Sequence, residues 1–499
     1  MFKKILVANR GEIAVRVLRA CREMGIGSVA VYSDADRNAL HTRYADEVYC
    51  IGGAPATESY LKVDTLIQVA KKSGAEAIHP GYGFLAENTG FARSCEKSGI
   101  VFIGPNSRAV ELLGDKIESK RTMSKANIPV IPGSDGPVEK EDDARSIAAE
   151  IGFPVLIKAA GGGGGKGMRV VRDEKSLGGA MKQAMGEARS AFGNPTIFIE
   201  KFLESPRHIE FQILADNHGN AVHLFERECS VQRRHQKLIE ESPSTVMTPE
   251  LRARMGEAAV KAVKVSKYNN AGTVEFMVDK DRNFYFLEMN TRLQVEHPVT
   301  ELITGIDIVK EQFKIASGER LSLEQDKIRM TGAAIECRIS AEDPENEFAP
   351  STGKILELIE PGGIGVRVDS GIYEGFDVPI YYDPLVAKLL VWAPTREDAI
   401  VRMRRALNEY VIRGIKTSIP FHILVMGHEK FVEGDYDTTF IDKVLKKIEY
   451  KKHYHDVAAI SSVLARVLSE QRVKIAQHKD AKTANPWKMS GRKAMFDRG

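Results

Sequence analysis

The sequence lacks the features that mark secreted, membrane-spanning or nucleic-acid-binding proteins. Its five cysteines in 499 residues have no paired short spacing, which argues against a zinc or disulfide framework and favours reduced thiols. No apolar run approaches a membrane span, and the first one is too short for a signal peptide. The net charge of +3 is too small at this length to indicate nucleic acid. These absences predict a cytoplasmic protein with no nucleic-acid or membrane partner.

The composition is that of an ordinary globular protein, but the charge is unevenly distributed. With 43% hydrophobic and 28% charged residues, the chain is long enough for roughly three domains. From Tyr450 onward, 11 Lys and Arg stand against 4 Asp and Glu, and Val457, Ile460 and Val467 follow helical spacing. We therefore expect a basic tail at 446–499 with an amphipathic helix that docks a partner.

Short apolar segments alternate with helix-like segments near the N-terminus. Residues 4–8, 28–32, 76–79 and 101–104 are apolar enough for buried strands, and helical spacing follows the first of them. Such alternation predicts a doubly wound parallel sheet. No G-x-G-x-x-G follows the first strand, so dinucleotide binding is not predicted.

A glycine-rich segment at 161–167 lies between predicted strands at 155–159 and 168–171. Backbone N–H groups of such a turn can approach phosphate oxygens closely. It is not a Walker A loop, because Lys166 is followed by Gly167. A flexible linker is the alternative. The flanking strands, and Lys158 at the entrance, favour a mobile lid over phosphates.

A predicted hairpin downstream carries the strongest candidate for a metal site. If its turn is centred on Asp281 and Arg282, Glu275 lies opposite Glu288, and Asn290 shares the same face. Two carboxylates and an amide oxygen suit Mg²⁺ or Mn²⁺. A solvated sheet face is the alternative, but both strands are too apolar to be exposed on both sides.

Several motifs, in order, resemble those of the biotin carboxylases, which are ATP-grasp enzymes. They are ILVANRGEIAVR, HPGYGFLAEN, FIGP, GDK, IKAAGGGGGKGMRVV, EKFLESPRHIEFQ, ERECSVQRRHQK, NFYFLEMNTRLQVEHPVTE and ECRISAEDP. The resemblance covers about residues 1–445. It implies an α/β ATP-grasp fold. The implied parts are an N-terminal doubly wound parallel-sheet domain at 1–114, an ATP-grasp domain at 115–329 with a lid at about 131–203, and a β-rich C-terminal module at 330–445.

The resemblance also implies a reaction. Bicarbonate attacks the γ-phosphate of ATP to give carboxyphosphate, whose carbon dioxide is then taken up by biotin. Two Mg²⁺ or Mn²⁺ ions would neutralise the phosphates. The biotin-bearing Ala-Met-Lys-Met sequence is absent, since Met181-Lys182 is followed by Gln183 in a predicted helix. Biotin and the carboxyltransferase are therefore expected on separate chains, with this chain forming a homodimer.

The resemblance assigns roles to individual residues. Glu296 would remove the bicarbonate proton, while Arg338 would stabilise the ureido oxygen of biotin beside Tyr82. Arg292 and Lys237 complete the catalytic set, and bicarbonate would be bound by Lys237, Arg292, Gln294 and the backbone of Val295. The metal ligands would be Glu275, Glu288 and Asn290. ATP would be bound by Lys116, Lys158, Gly164, Gly165, Glu200, Lys201, Phe202, Leu203, His208, Gln232, His235, Glu275 and Glu288.

Two other functions are compatible with parts of the sequence. A different ATP-grasp ligase, of the carbamoyl-phosphate or purine type, would leave the RRHQK and ECR segments without a role. An inactive ATP-binding scaffold predicts the loss of a catalytic residue, yet Lys237, Arg292, Glu296 and Arg338 are all present. The final acceptor is open between pyruvate and an acyl-CoA, acetyl-CoA or propionyl-CoA. The long basic tail, similar to that of two-subunit pyruvate carboxylases, favours pyruvate.

Overall fold

The computed structural model describes residues 1–159, 168–192, 196–234 and 236–445, together with residues 461, 463, 464 and 466. Residues 1–445 form one unit and 446–499 another, and the fold below is that of the first. The predictions for Gly164, Gly165 and His235, and for the tail helix as a whole, concern residues outside the described ranges. No helix in the described part is long and apolar enough to cross a bilayer.

The N-terminal residues alternate strands and helices as predicted. The elements are β1 (Lys4–Val7), α1 (Gly11–Glu23), β2 (Gly27–Tyr32), α2 (Leu40–Tyr44), β3 (Glu47–Cys50), α3 (Val63–Ser73), β4 (Ala77–His79), α4 (Thr89–Lys97), β5 (Val101–Phe102) and α5 (Ser107–Gly114). The strands form a parallel sheet of order β3-β2-β1-β4-β5. Ile5 and Val7 of β1 pack towards α1, whereas Leu6 packs among Tyr60 and Phe91. Both faces of the sheet are therefore covered, which explains the continuous apolar run.

One strand of this sheet was not predicted. β3 pairs in parallel with β2 at the sheet edge, and half of its residues are exposed, including Val48. A four-residue edge strand with mixed polarity has too short a pattern to be distinguished from a loop.

The lid predicted at about 131–203 contains a small antiparallel sheet. The elements from the start of the ATP-grasp region are α6 (Lys116–Lys125), α7 (Glu141–Ile151), β6 (Val155–Ala159), β7 (Met168–Val171), α8 (Glu174–Phe192) and β8 (Ile197–Lys201). The sheet order is β7-β6-β8. Val155, Ile157 and Ile199 pack against Leu177 and Met181 of α8, so the lid has a small apolar core of its own.

Longer strands follow, with one helix between the third and the fourth of them and two helices after the fifth. The elements are β9 (Arg207–Ala215), β10 (Ala221–Arg233), β11 (Gln236–Ser242), α9 (Pro249–Val265), β12 (Asn270–Val278), β13 (Phe284–Asn290), α10 (His297–Thr304) and α11 (Ile308–Ala316).

The C-terminal segment is rich in short strands. Its elements are β14 (Ala333–Ser340), β15 (Glu342–Asp343), β16 (Ala349–Pro350), β17 (Gly353–Lys354), β18 (Glu357–Ile359), β19 (Val366–Ser370), β20 (Asp377–Val378), β21 (Leu385–Ala393), α12 (Arg396–Glu409), β22 (Val411–Arg413), α13 (Ile419–Met426), α14 (Glu429–Glu433) and α15 (Phe440–Leu445). Two-stranded ladders pair β15 with β16, β17 with β20, and β18 with β22.

The centre of the molecule is an antiparallel eight-stranded sheet of order β13-β12-β9-β10-β11-β14-β21-β19. Its last three strands, β14, β21 and β19, come from the C-terminal segment. The sheet therefore runs without interruption across the boundary predicted at residue 330.

Both faces of β9 are buried, and this positions the polar site. Ile209, Phe211 and Ile213 pack with α9 in one apolar core. His208 and Glu210 alternate with them and are also buried, so they point to the opposite face of the sheet. That second face, although inside the molecule, is lined by ionisable groups.

Candidate active site

The predicted pairing of Glu275 with Glu288 is confirmed, but the predicted turn centre is wrong by half a residue, because Val278 pairs with Phe284. β12 pairs with β13 so that Glu275 lies directly opposite Glu288, and a bulge follows between Glu275 and Phe276. The turn closes through a hydrogen bond from the Asp279 N–H to the Asn283 carbonyl, 2.9 Å long. The two carboxylates and Asn290 therefore lie at the same end of the hairpin, as the residue spacing indicated.

Glu275 is surrounded by hydrogen-bond donors. One oxygen accepts from the amides of Asn290 and Gln294 at 2.7 and 2.9 Å and from the ammonium of Lys237 at 2.9 Å. Nε2 of His208 lies 2.8 Å from the other oxygen. Burial alone would raise the pKa of Glu275, but the nearby charges of Lys237 and His208 hold it well below its usual range. This carboxylate is ionised and already neutralised by the protein.

Lys237 joins three buried carboxylates. Its ammonium donates to Glu210, to Glu275, and to Glu296 at 2.6 Å. The other oxygen of Glu296 accepts from the guanidinium of Arg338 at 2.9 Å. Burial would raise the pKa of Glu296, but Lys237 and Arg338 hold it far below the usual range. The candidate base is thus ionised, and each of its oxygens is bound to a cation.

Arg338 has a second carboxylate partner that the sequence did not identify. Its Nε donates to Glu240 at 2.7 Å, and Glu240 lies opposite Glu336 in the pairing of β11 with β14. Burial raises the pKa of Glu240 to about 7, although Arg338 opposes the rise. Arg338 therefore contacts two buried carboxylates, and burial favours the neutral form of Glu240 more than that of Glu296, whose pKa is lowered.

Arg227 is the largest fully buried side chain in the described residues, and the sequence did not mark it as part of a site. All three of its nitrogens donate to side chains from several strands and from α10. Its partners are Glu210 at 2.6 Å, Gln294 at 2.7 Å, Gln212 at 2.8 Å, Thr300 at 2.9 Å and Thr273 at 3.2 Å. Through Glu210 and Gln294, Arg227 holds groups that also contact Lys237 and Glu275.

All three guanidinium nitrogens of Arg292 donate within the protein, one of them to the Leu293 carbonyl at 3.2 Å. Its Nε donates to Glu87 at 3.0 Å, and a terminal nitrogen donates to the amide oxygen of Asn290 at 3.0 Å. Glu87 also accepts from the N–H of Thr291 at 2.9 Å. Glu87 lies in the HPGYGFLAEN motif, whose sequence gave no sign of this contact. The N-terminal domain therefore helps to orient Arg292.

The two lysines assigned to phosphate have different carboxylate partners. Lys116 begins α6, where the side chain of Asp115 accepts from two helix N–H groups, and its ammonium is 3.8 Å from Glu288. Lys158 contacts Glu200 at 2.5 Å, and Lys120 contacts the same carboxylate at 3.1 Å. Lys120 had no predicted role. Each of these ammonium groups thus faces a carboxylate.

The segment assigned to adenine, residues 200–203, begins within the last two residues of β8. The side chain of Lys201 donates to the carbonyls of Gly152 and Phe153 at 3.0 and 3.1 Å. The N–H groups of Lys201 and Phe202 donate to the carbonyls of Pro132 and Pro154. Leu203 follows the strand and is half-buried. In this structure, the Lys201 and Phe202 N–H groups are therefore engaged within the protein.

The remaining predicted residues lie around the cluster. Gln232 is buried opposite Lys237 in the β10–β11 pairing. Tyr82 donates its hydroxyl hydrogen to Glu12. The carbonyl of Val295 accepts from the ammonium of Lys388 at 3.0 Å. Glu12 and Lys388 are two buried charged groups with no predicted role.

Replacement of Arg227 by methionine tests how much the buried ionic network contributes to the stability of the fold. Arg227→Met should lower the free energy of unfolding by about 3–5 kcal/mol, because it leaves the buried Glu210 carboxylate short of a cation. Denaturant unfolding followed by circular dichroism measures the change. Arg121→Met, which breaks the exposed pair with Glu118, is the matched control and should cost less than about 1 kcal/mol. Equal losses in the two variants would show that the buried network is not needed for stability.

The chain is similar to known proteins over most of its length. Three family models match: "Biotin carboxylase, N-terminal domain" at residues 1–110, "Carbamoyl-phosphate synthase L chain, ATP binding domain" at 115–324, and "Biotin carboxylase C-terminal domain" at 336–443. The pyruvate carboxylase A subunit of Methanothermobacter thermautotrophicus is 60% identical over 449 residues, which are 90% of this chain and 91% of that protein. Biotin carboxylase 1 of Bacillus subtilis is 54% identical over 89% of this chain and 98% of its own length.

The chain is also similar in fold to a related crystal structure. It is the biotin carboxylase domain dimer of the 2-oxoglutarate carboxylase of Hydrogenobacter thermophilus, in complex with MgADP, ADP and bicarbonate. The TM-score is 0.83 at 52% sequence identity, covering 89% of this chain and 98% of that one. Identity at this level over most of both chains shows common family membership as well as a common fold. The chain belongs to the biotin carboxylase family of ATP-dependent ligases.

Proposed function

We propose that this biotin carboxylase uses ATP and bicarbonate to carboxylate biotin held on a separate carrier protein. The products would be carboxybiotin, ADP and phosphate, with carboxyphosphate as the intermediate. The observation that carries the proposal is the position of Glu296 between Lys237 and Arg338. Lys237 belongs to the cluster assigned to ATP and bicarbonate, and Arg338 is assigned to biotin. Glu296 therefore lies where the two halves of the reaction would meet.

The bicarbonate half depends on Arg292, Lys237, Gln294 and the backbone of Val295. A planar guanidinium anchored through Nε by Glu87 is suited to orient a planar anion. Glu296 is the proposed base for the bicarbonate proton, but a carboxylate held by two cations is a weak base. Bicarbonate bound to Lys237 would compete for its ammonium hydrogens. Its binding would thereby raise the basicity of Glu296 when the proton has to be taken.

The biotin half depends on Arg338, with Tyr82 assigned beside it. Removal of the ureido proton leaves negative charge on the ureido oxygen, which a fixed guanidinium can stabilise. The raised pKa of Glu240 supports this role, because a neutral Glu240 would leave Arg338 with one charged carboxylate partner, Glu296. The biotin oxyanion would then accept a hydrogen bond from Arg338 in place of the one that Glu296 accepts in this structure.

The nucleotide would lie between the lid and the carboxylate hairpin. Lys116 and Lys158 are the proposed phosphate ligands, and both now contact carboxylates that an anionic phosphate could replace. Glu200, Lys201, Phe202 and Leu203 are proposed beside the adenine and ribose. His208 and Gln232, with Gly164, Gly165 and His235, complete the proposed nucleotide site.

The residues at the hairpin fit a magnesium site. The proposed ligands Glu275, Glu288 and Asn290 offer hard oxygens, and Glu288 lacks full neutralisation. Burial and then the Glu275 charge raise its pKa, and its cation in the described residues is Lys116 at 3.8 Å. The group formed by His208, Glu210 and Glu275 also has ligand atoms within 4.8 Å of one another, and it shares Glu275 with the proposed ligand set. Bound magnesium would neutralise charge on the phosphates.

Pyruvate is the final acceptor that we propose, reached through a carrier and a carboxyltransferase on separate chains. The support is the 60% identity to the pyruvate carboxylase protein of Methanothermobacter, together with the basic tail at 446–499, which we propose as the docking segment. An acyl-CoA carboxylase role is the alternative. We further propose a homodimer, as in the related crystal structure, and a cytoplasmic location, which fits five cysteines that are all free.

Purification of the complex tests the acceptor. Full-length chain isolated with its natural partners should transfer label from bicarbonate to pyruvate, and not to acetyl-CoA or propionyl-CoA. Transfer to an acyl-CoA instead would overturn the pyruvate assignment while leaving biotin carboxylation intact. A chain ending at Leu445 should recover less of the partner proteins, and full recovery would remove the docking role of the tail.

Arg338→Gln tests the biotin half. Carboxylation of free biotin should fall roughly 100-fold, because the developing oxyanion loses its guanidinium, whereas the KM for ATP should change less than about twofold. Steady-state kinetics with free biotin measures both values. Arg413→Gln, which removes an exposed pair with Glu357, is the control. Equal losses in ATP and biotin parameters would refute the assignment.

Glu288→Gln tests the metal ligand. The magnesium concentration needed for half-maximal ADP formation should rise about tenfold or more, because a carboxylate ligand is lost. Titration with MgCl₂ at a fixed concentration of ATP measures the shift. The exposed substitution Glu118→Gln on α6 should leave the titration unchanged. If Glu288→Gln does the same, Glu288 is not a metal ligand.

A further inference from the structure

Lys388 is a buried charge for which the proposed reaction has no role so far. It lies in β21, within the apolar sequence Leu385–Ala393, and its side chain has no exposed surface. An ammonium taken out of water costs several kcal/mol unless the protein supplies compensating contacts. The contacts of Lys388 therefore indicate what the charge is used for.

The Lys388 ammonium lies among four separate segments of the chain. It donates to the carbonyl of Val295 at 3.0 Å and lies 3.1 Å from Oε2 of Glu12 in α1. Oδ2 of Asp369 in β19 is 3.9 Å away, and the centre of the Tyr82 ring is 6.0 Å away. Glu12 in turn accepts from the Tyr82 hydroxyl. One ammonium thus connects the loop before α10 with α1, β19 and the loop that carries Tyr82.

Three buried acids interact with the Lys388 charge, namely Glu12, Glu336 and Asp369, and neutralisation of Glu12 and Asp369 does not explain this lysine. Asp369 already accepts two hydrogen bonds from Arg367, at 2.9 and 2.8 Å. Burial raises the pKa of Glu12 to about 7, although Lys388 opposes the rise, so Glu12 could be buried as a neutral acid. The contact that neither acid accounts for is the hydrogen bond to the Val295 carbonyl.

That carbonyl belongs to the peptide group that joins Val295 to Glu296. Peptide groups are planar, so a fixed carbonyl also fixes the direction of the Glu296 N–H and the position of its Cα. Among the described residues, no protein group accepts from the N–H of Val295. The Val295 backbone can therefore present its N–H to a bound anion, while Lys388 holds the carbonyl end.

We propose that Lys388 is a positioning residue that fixes the Val295–Glu296 peptide through its hydrogen bond to the Val295 carbonyl. The fixed peptide in turn keeps Glu296, the proposed base, aligned with bound bicarbonate. Glu12 retains the ammonium in place and couples it to Tyr82. The inference rests on the proposed function of Glu296 and Val295. It adds a residue from β21 that does not touch the substrate but determines the geometry of two residues that do.

Lys388→Met removes the hydrogen bond while keeping the length of the side chain. The KM for bicarbonate should rise about tenfold, and kcat for bicarbonate-dependent ADP formation should fall roughly 10- to 100-fold, since a small displacement of a reacting group is costly. The KM for ATP should change less than about twofold. An unchanged KM for bicarbonate in an active, folded variant would overturn the inference.

The double variant Glu12→Gln/Lys388→Met separates positioning from stability. It removes the buried acid together with its cation, so the thermal midpoint should recover most of any loss seen in Lys388→Met, while the raised KM for bicarbonate should persist. If the thermal midpoint and the KM for bicarbonate both recovered, Lys388 would have only a structural role, and the inference would be overturned. Arg252→Met, which breaks a half-buried pair with Glu226, controls for destabilisation alone and should leave the KM for bicarbonate unchanged.

Two further measurements keep the outcomes distinct. If Lys388→Met cannot be purified folded, Glu12→Gln carries the test, because it retains an acceptor for Tyr82 but holds the ammonium less firmly. It should raise the KM for bicarbonate by a smaller factor, and no change would count against the inference. A wild-type chain without bicarbonate-dependent ADP formation would overturn the proposed function, and the inference with it.

Discussion

Charge burial is the constraint on which the centre of this molecule depends. Glu210 and Glu275 on the eight-stranded sheet and Glu296 in the loop after β13 are buried, and Lys237 donates to all three. A buried ion costs several kcal/mol when it is unpaired. The carboxylates and cations are therefore stable only as a set. Because the members come from β9, β10, β11, β12, β14 and the loop after β13, the same requirement holds the strand order together.

The two faces of the sheet have different environments, and this allows a polar site to lie inside the protein. Alternate residues of β9 enter an apolar core with α9 on one side and the ionic cluster on the other. The apolar core contributes the free energy that offsets the cost of the ionic face. A ligand site on such a face can keep its groups in fixed directions before any substrate arrives, which lowers the cost of reorganisation during reaction.

Local pattern was sufficient for much of the fold and part of the site. Most of the parallel strands, several helices and the pairing of Glu275 with Glu288 were predicted from apolar spacing and turn residues, which are properties of short segments, although the bulge beside Glu275 was not. The edge strand β3 was missed because its pattern is short and mixed. The continuity of one sheet across residue 330 could not be predicted, because no short segment specifies which distant strand pairs with β11. The sequence was less informative about which side chains contact the site residues. Arg227, Glu87 and Glu240 act through contacts with residues up to 205 positions away in the chain, and a single sequence holds no sign of such pairs.

The continuous sheet has a consequence for how the enzyme is made. Synthesis proceeds from the N-terminus, and domains generally fold in that order. A chain on the ribosome that has reached only α10 already contains Glu240 and Glu296, yet Arg338, which contacts both carboxylates, has not been made. Such a chain holds an incomplete charge cluster, and β11 has no partner on the side that β14 will occupy. We therefore expect interrupted translation to yield an unstable fragment, and not a partial enzyme that consumes ATP without carboxylating biotin.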